Sequence, residues 1–214
     1  MTLKAYLASD ALTGTATITA IGTEPAPHIR IDTTLFHPQG GGQRGDRGRI
    51  GPARVIDTRH AAEGEVDHFV ESVDGLAVGD VIEIAVDPEH RREGARLHSA
   101  GHLLADAVQA IRPGLHAVAG HHWKGEARVE FEGAVEVDKA LEADLAAKIV
   151  ELVAAALPVR VVGDPHASRA LAIGDFTPVG CGGLHVSSTA ELDGLAVTAI
   201  RSKKGRLRVS YEVA

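Results

Sequence analysis

Residues 85–114 read AVDPEHRREGARLHSAGHLLADAVQAIRPG, and the period of the apolar residues changes inside this stretch. Asp87 supplies a helix-capping carboxylate and Pro88 a residue preset for the first helical position, so a helix opens there and closes before Pro113-Gly114. Within it Leu97, Leu104, Val108 and Ile111 recur at helical spacing and predict a buried stripe. Upstream the pattern is different. Thr15–Ile21, Ile29–Thr33, Arg54–Thr58, Val66–Val70 and Val81–Val86 are short β-branched runs separated by Gly, Pro and Asp, the mark of a small β-barrel or sandwich. The change of period sets a boundary near residue 90, giving a β-barrel domain over 1–90 and an α+β domain over 91–214.

Downstream, a second helix is expected from Asp138 to Leu157-Pro158, with Leu141, Leu145, Ile149, Leu152 and Ala156 on one face. Arg128–Glu132, Val159–Val162, Leu195–Arg201 and Leu207–Val213 read as strands, the last two joined by a hairpin at Lys204-Gly205. The fold class is therefore α+β.

Composition narrows the function. With 44% hydrophobic residues, the 214-residue chain can build a core. Lys and Arg number 22 against 29 Asp and Glu, and the net charge of -7 excludes a broad basic nucleic-acid surface while leaving local patches open. A single cysteine rules out an internal disulfide and fits a reducing cytoplasm. Asp10 interrupts the N-terminal apolar stretch, which makes a poor signal peptide, and no run reaches the ~18 apolar residues of a membrane span.

Chemistry concentrates in two places. His98 and His102 stand one helical turn apart, so their imidazoles share a face. Cys181-Gly-Gly-Leu-His185 adds a thiolate and an imidazole on a glycine-softened loop. Either pair alone is commonplace; together, with the only cysteine among them, they form a CysHis₃ ligand set whose soft, mixed donors select zinc over calcium or magnesium. His121 and His122 are neighbours in a strand and point to opposite faces, so one of them takes a structural or substrate-facing role. The second place is Phe36–Gly48, with five glycines in thirteen residues. Its exposed amides suit an anion, ribose or carbonyl, or else it is a bulged barrel-rim loop. It is not a nucleotide P-loop, because no Gly-Lys-Ser or Gly-Lys-Thr follows.

The His-x₃-His helix in Leu97–Leu104, the Cys-x₃-His loop in Cys181–Val186 and the glycine-rich motif in Phe36–Gly48, in that order, resemble the stand-alone alanyl-tRNA editing proteins of the AlaX type, medium-sized class, and the editing domains of alanyl- and threonyl-tRNA synthetases. Leu184 stands where threonine is common, His37 where tyrosine is common, and Gln39 where an acidic or small residue often stands. The resemblance covers nearly the whole chain. It implies a zinc held by His98, His102, Cys181 and His185, and a substrate pocket lined by Thr34, Gly41, Gly42 and Gln43. It also implies hydrolysis in trans of mischarged tRNA(Ala) carrying serine, with glycine a second substrate, since a synthetase pocket rejects near-isosteres of alanine weakly. No Asp or Glu stands out as a general base.

Phosphate contacts would fall to three basic groups: Arg44, Arg47 and Arg49 around the glycine loop; Arg91, Arg92 and Arg96 ahead of the histidines; and Lys203, Lys204, Arg206 and Arg208 at the final hairpin. The rival readings are a zinc-stabilised RNA-binding module without hydrolysis and a small-molecule metallohydrolase.

Overall fold

Why the first half closes on itself is visible in its strands. In a computed structural model, which describes residues 1–133, 139–203 and 205–214, the chain divides into two compact units, one of residues 1–40 and 44–93 and one of residues 41–43 and 94–214. The first contains β1 (Leu3–Lys4), β2 (Thr13–Gly22), β3 (His28–Ile31), β4 (Thr33–Thr34), β5 (Gly48–Ile50), β6 (Ala53–His60), β7 (Val66–Val70) and β8 (Val81–Val86). Six of these form a closed barrel in the order β2-β3-β7-β6-β5-β8, and β8 pairs back onto β2 from Thr13↔Ala85 to Thr17↔Val81. Closure leaves no open edge among the six. Alternation fills the interior: in β7, Val66, His68 and Val70 are buried while Asp67 and Phe69 are only partly so. Ile18, Ile29, Ile31, Ile50, Val55 and Ile84 complete the core with Phe36.

The expected strand over Ile29–Thr33 is broken at Asp32, whose carboxylate accepts the amide of Thr17 and whose own amide donates to the Thr17 carbonyl. The glycine-rich loop is tied down within this unit by Asp46, which accepts from the His37 amide and from Arg91 Nε at 2.6 and 2.9 Å.

Helix α1 (Pro88–Ile111) begins as its sequence dictates, with Asp87 Oδ1 accepting the amides of Glu89 and His90. The second unit continues with β9 (His116–His121), β10 (Arg128–Glu132), α2 (Lys139–Ala154), β11 (Val159–Val162), β12 (Ala170–Ile173), β13 (Val179–Gly180), β14 (Ala196–Lys203) and β15 (Arg206–Glu212). The strands form an antiparallel sheet, β14-β15-β10-β9, and a smaller one, β11-β12-β13. Leu103, Leu104, Ala107 and Val108 of α1 meet Val129, Phe131, Leu207 and Val209 of the larger sheet and Leu145 and Ile149 of α2 in one core.

The start expected for the second helix, Asp138, lies outside the described residues. Its end differs from expectation. The helix stops at Ala154, and Ala156 is exposed with a positive φ of 47°, so it leaves the apolar face three residues sooner than the proline would require. The β14–β15 hairpin forms with Lys203 opposite Arg206; Lys204 is outside the described residues. Among the described residues no helix is long and apolar enough to cross a membrane.

Candidate metal centre

All the parts of the centre belong to the second unit. α1 presents His98 and His102, and the loop after β13 presents Cys181 and His185; one donor atom from each lies within 4.8 Å of the others. Cys181 Sγ is 3.6 Å from His98 Nε2 and 3.3 Å from His185 Nε2. A single thiol proton could serve only one of these nitrogens. In a tetrahedral zinc site with bonds of roughly 2.0–2.3 Å, neighbouring donors are about 3.3–3.7 Å apart, so both distances match the edge of such a tetrahedron. The donor set therefore fits zinc.

The outer nitrogens of two of the rings are held by the protein. His98 Nδ1 donates to Gln43 Oε1 at 2.8 Å, and the same oxygen accepts the Leu184 amide at 2.8 Å. His185 Nδ1 lies 3.2 Å from Ser99 Oγ, which accepts the Val186 amide. These bonds fix ring orientation and leave each Nε2 toward the cluster, the arrangement that supports metal-ligating histidines. His102 makes no hydrogen bond among the described residues, and burial pushes its pKa down to about 4, which keeps it neutral and able to donate its lone pair. Burial raises the Cys181 thiol, against smaller lowering effects of the Gly183 amide and Arg169, so a cation is what would hold it as thiolate.

The glycines of the loop have a steric cause. A Cβ on Gly183 would stand 2.1 Å from His98 Cε1, and one on Gly42 would stand 2.4 Å from the Gly120 carbonyl oxygen, where Gly42 also has a φ of 80°.

The residues expected to bind substrate are divided between the two units. Gly41, Gly42 and Gln43 fall in the second unit, and Gly41 lines a cavity of about 370 Å³ together with His98, His102 and Cys181. Gln43 is nearly inaccessible, with its carbonyl oxygen committed to His98 and Leu184. Thr34 is in the barrel unit, where its buried hydroxyl pairs with His68 Nε2 and accepts the Phe36 amide. A larger hollow on the barrel, about 580 Å³, is lined by Arg47, Arg49 and Arg54 with Glu71, Asp87 and His90, and among the described residues no cluster of three metal-type donors gathers there.

Of two further cavity residues, His122 answers the expectation that one of the His121-His122 pair is structural or substrate-facing, and Asp106 escaped the sequence reading. His122 is buried and stacks on His98 with ring centroids 4.7 Å apart; its Nδ1 lies 2.6 Å from the Tyr211 hydroxyl, which donates to the Leu97 carbonyl. The alternation of the His121-His122 pair carried that signal, for His121 is only partly buried. Asp106 follows His102 by four residues and lines the same cavity; the i, i+4, i+8 series from His98 was its signal.

Most of the arginines expected to meet phosphate have other work. Arg91 pairs with Asp46 and the Leu35 carbonyl, Arg96 donates to the carbonyls of Glu191, Asp193 and Ala214, and Arg206 and Arg208 pair with Glu132 and Glu130. Arg92 is exposed.

Known proteins are similar to this chain in sequence. The chain is 37% identical over 83 residues to the alanyl-tRNA editing protein AlaX-M of Pyrococcus horikoshii, covering 39% of this chain and 38% of that protein. It is 30% identical over 199 residues to the alanine–tRNA ligase of a Parafrankia strain, covering 82% of this chain and 23% of the ligase. The ligase of Streptomyces avermitilis is 30% identical over 189 residues, 77% of this chain and 21% of the ligase. No family model matches. The chain thus spans under a quarter of the length of these ligases and well under half of AlaX-M. Sequence similarity places the chain in a class, the proteins that share the editing region of alanine–tRNA ligases. Within that class the chain belongs to the AlaX-type alanyl-tRNA editing family.

Proposed function

We propose that this protein is a trans-editing aminoacyl-tRNA deacylase that hydrolyses Ser-tRNA(Ala), with Gly-tRNA(Ala) a second substrate, in the cytoplasm, using one Zn²⁺ held by His98, His102, Cys181 and His185. The observation that carries the reading is the convergence of those four donors, three of which (His98, His102 and Cys181) line a cavity of about 370 Å³. The names of the relatives supply the substrate class. Water adds to the ester carbonyl, the ester C–O bond breaks, and the products are the free amino acid and tRNA with its terminal hydroxyl restored.

When bound, zinc supplies a Lewis-acid charge that polarises a carbonyl and lowers the pKa of water. Gln43 and Ser99 orient His98 and His185 and so set the geometry of the centre. Gln43 is nearly inaccessible and its carbonyl oxygen is committed to His98 and Leu184, so the exposed backbone of Gly41, with that of Gly42 beside it, is what remains for substrate. The role of Thr34 in substrate contact rests on the family resemblance alone.

The test is deacylation of Ser-tRNA(Ala) by the purified full chain. Release of serine well above the buffer-only rate is expected. If Ser-tRNA(Ala) binds yet decays at the buffer rate, the protein is a binding module and the enzyme reading fails; activity on simple esters without tRNA would instead favour a small-molecule hydrolase.

A further inference from the structure

Asp106 stands four residues, a rise of about 6 Å, beyond His102 on α1 and lines the cavity that holds His98, His102 and Cys181. Its carboxyl makes no hydrogen bond and no ion pair with any described residue. The wall beside it is largely apolar, formed by Ala105, Ala117, Val118 and Ala119, and Gln109 there is engaged with the Ala117 amide. Burial pushes the carboxyl up to about 7. A half-buried acid without a partner destabilises a fold that an alanine at the same place would not burden, so its presence calls for a ligand that satisfies it.

The substrate class proposed above brings one cation wherever the amino acid is unblocked, the α-ammonium group. We propose that Asp106 receives this ammonium, so that the cavity selects esters of free α-amino acids over N-acylated ones. The inference rests on the deacylase reading. A charge-assisted bond at this point orients the amino acid by its one invariant polar group, whatever its side chain, and leaves tRNA esters whose amine is already acylated without their anchor. The alternative role of general base fits the surroundings less well, because no neighbouring group on this wall orients the carboxyl or takes a proton onward.

The experiment compares Ser-tRNA(Ala) with N-acetyl-Ser-tRNA(Ala) in the wild type and in Asp106→Asn and Asp106→Glu. Wild type is expected to prefer the free amine in kcat/KM by about 10-fold to 100-fold, the range of a hydrogen bond to a charged group. Asp106→Asn should raise KM for Ser-tRNA(Ala) by a similar factor, change kcat little, and leave the N-acetyl substrate unaffected, so that the preference collapses; Asp106→Glu should restore part of it. Equal kcat/KM for the two substrates in the wild type overturns the proposal, a comparison that depends on no variant folding. Unchanged kinetics in Asp106→Asn, or an equal loss of kcat on both substrates, overturns it too. If the wild type hydrolyses neither substrate above the buffer rate, the deacylase reading itself falls and takes this inference with it.

Discussion

His68 in the barrel and His98 in the second unit are both buried imidazoles, yet they are held in opposite ways. His68 Nδ1 donates to the Ile29 carbonyl at 3.0 Å and its Nε2 takes the Thr34 hydroxyl at 2.7 Å, so both nitrogens end on the barrel's own groups. His98 gives Nδ1 to Gln43 and turns Nε2 toward the sulfur of Cys181, with His102 and His185 around it. Burial alone therefore does not separate a structural histidine from a ligand. The direction of the second nitrogen does.

The comparison can be broken first at His68. Burial lowers its pKa from 6.5 to about 4, so between these values the unfolded chain takes a proton that the folded chain refuses. Its contribution is whole above pH 6.5 and is lost as pH falls toward 4, at about 1.4 kcal/mol per pH unit, or roughly 3 kcal/mol over that interval. Denaturant titrations from pH 7 to pH 4 should show His68→Gln less stable than wild type at neutral pH but losing less on acidification. Parallel pH curves for the two proteins would contradict a closed, neutral His68.

A smaller effect is expected where the ligands are braced. Gln43→Ala removes the acceptor of the His98 Nδ1 proton and should weaken zinc affinity, read by competition with a chelator, by about 10-fold to 100-fold. Ser99→Ala should cost less, because its contact with His185 is the longer one at 3.2 Å. If neither substitution changes affinity, the two hydrogen bonds do not orient the ligands.

What could be read from the chain follows the range of the forces involved. Asp87-Pro88 announced α1 because a cap is local chemistry, and the strands were legible because valines frame Val66–Val70 and β-branched residues dominate Val81–Val86. Strand β9 left no such trace: His116–His121 is exposed along nearly its whole length, so no alternation marks it. Ala170–Ile173, reading ALAI, carries no strand composition and pairs with β11 through tertiary context. At the site, the spacing of His98, His102, Cys181 and His185 was visible as two local pairs, and their meeting across 83 residues was a matter of combination. The Gln43 carbonyl held between His98 and the Leu184 amide could not be read, because that contact spans 141 residues and depends on how the loop folds back.

The claim that these four side chains hold a zinc is tested most directly by metal analysis of the purified wild type, His98→Ala and Cys181→Ala, set beside their deacylation rates. One zinc per chain in the wild type, falling close to zero together with Ser-tRNA(Ala) hydrolysis in both variants, is the expected result. Full zinc retained in both variants would contradict it.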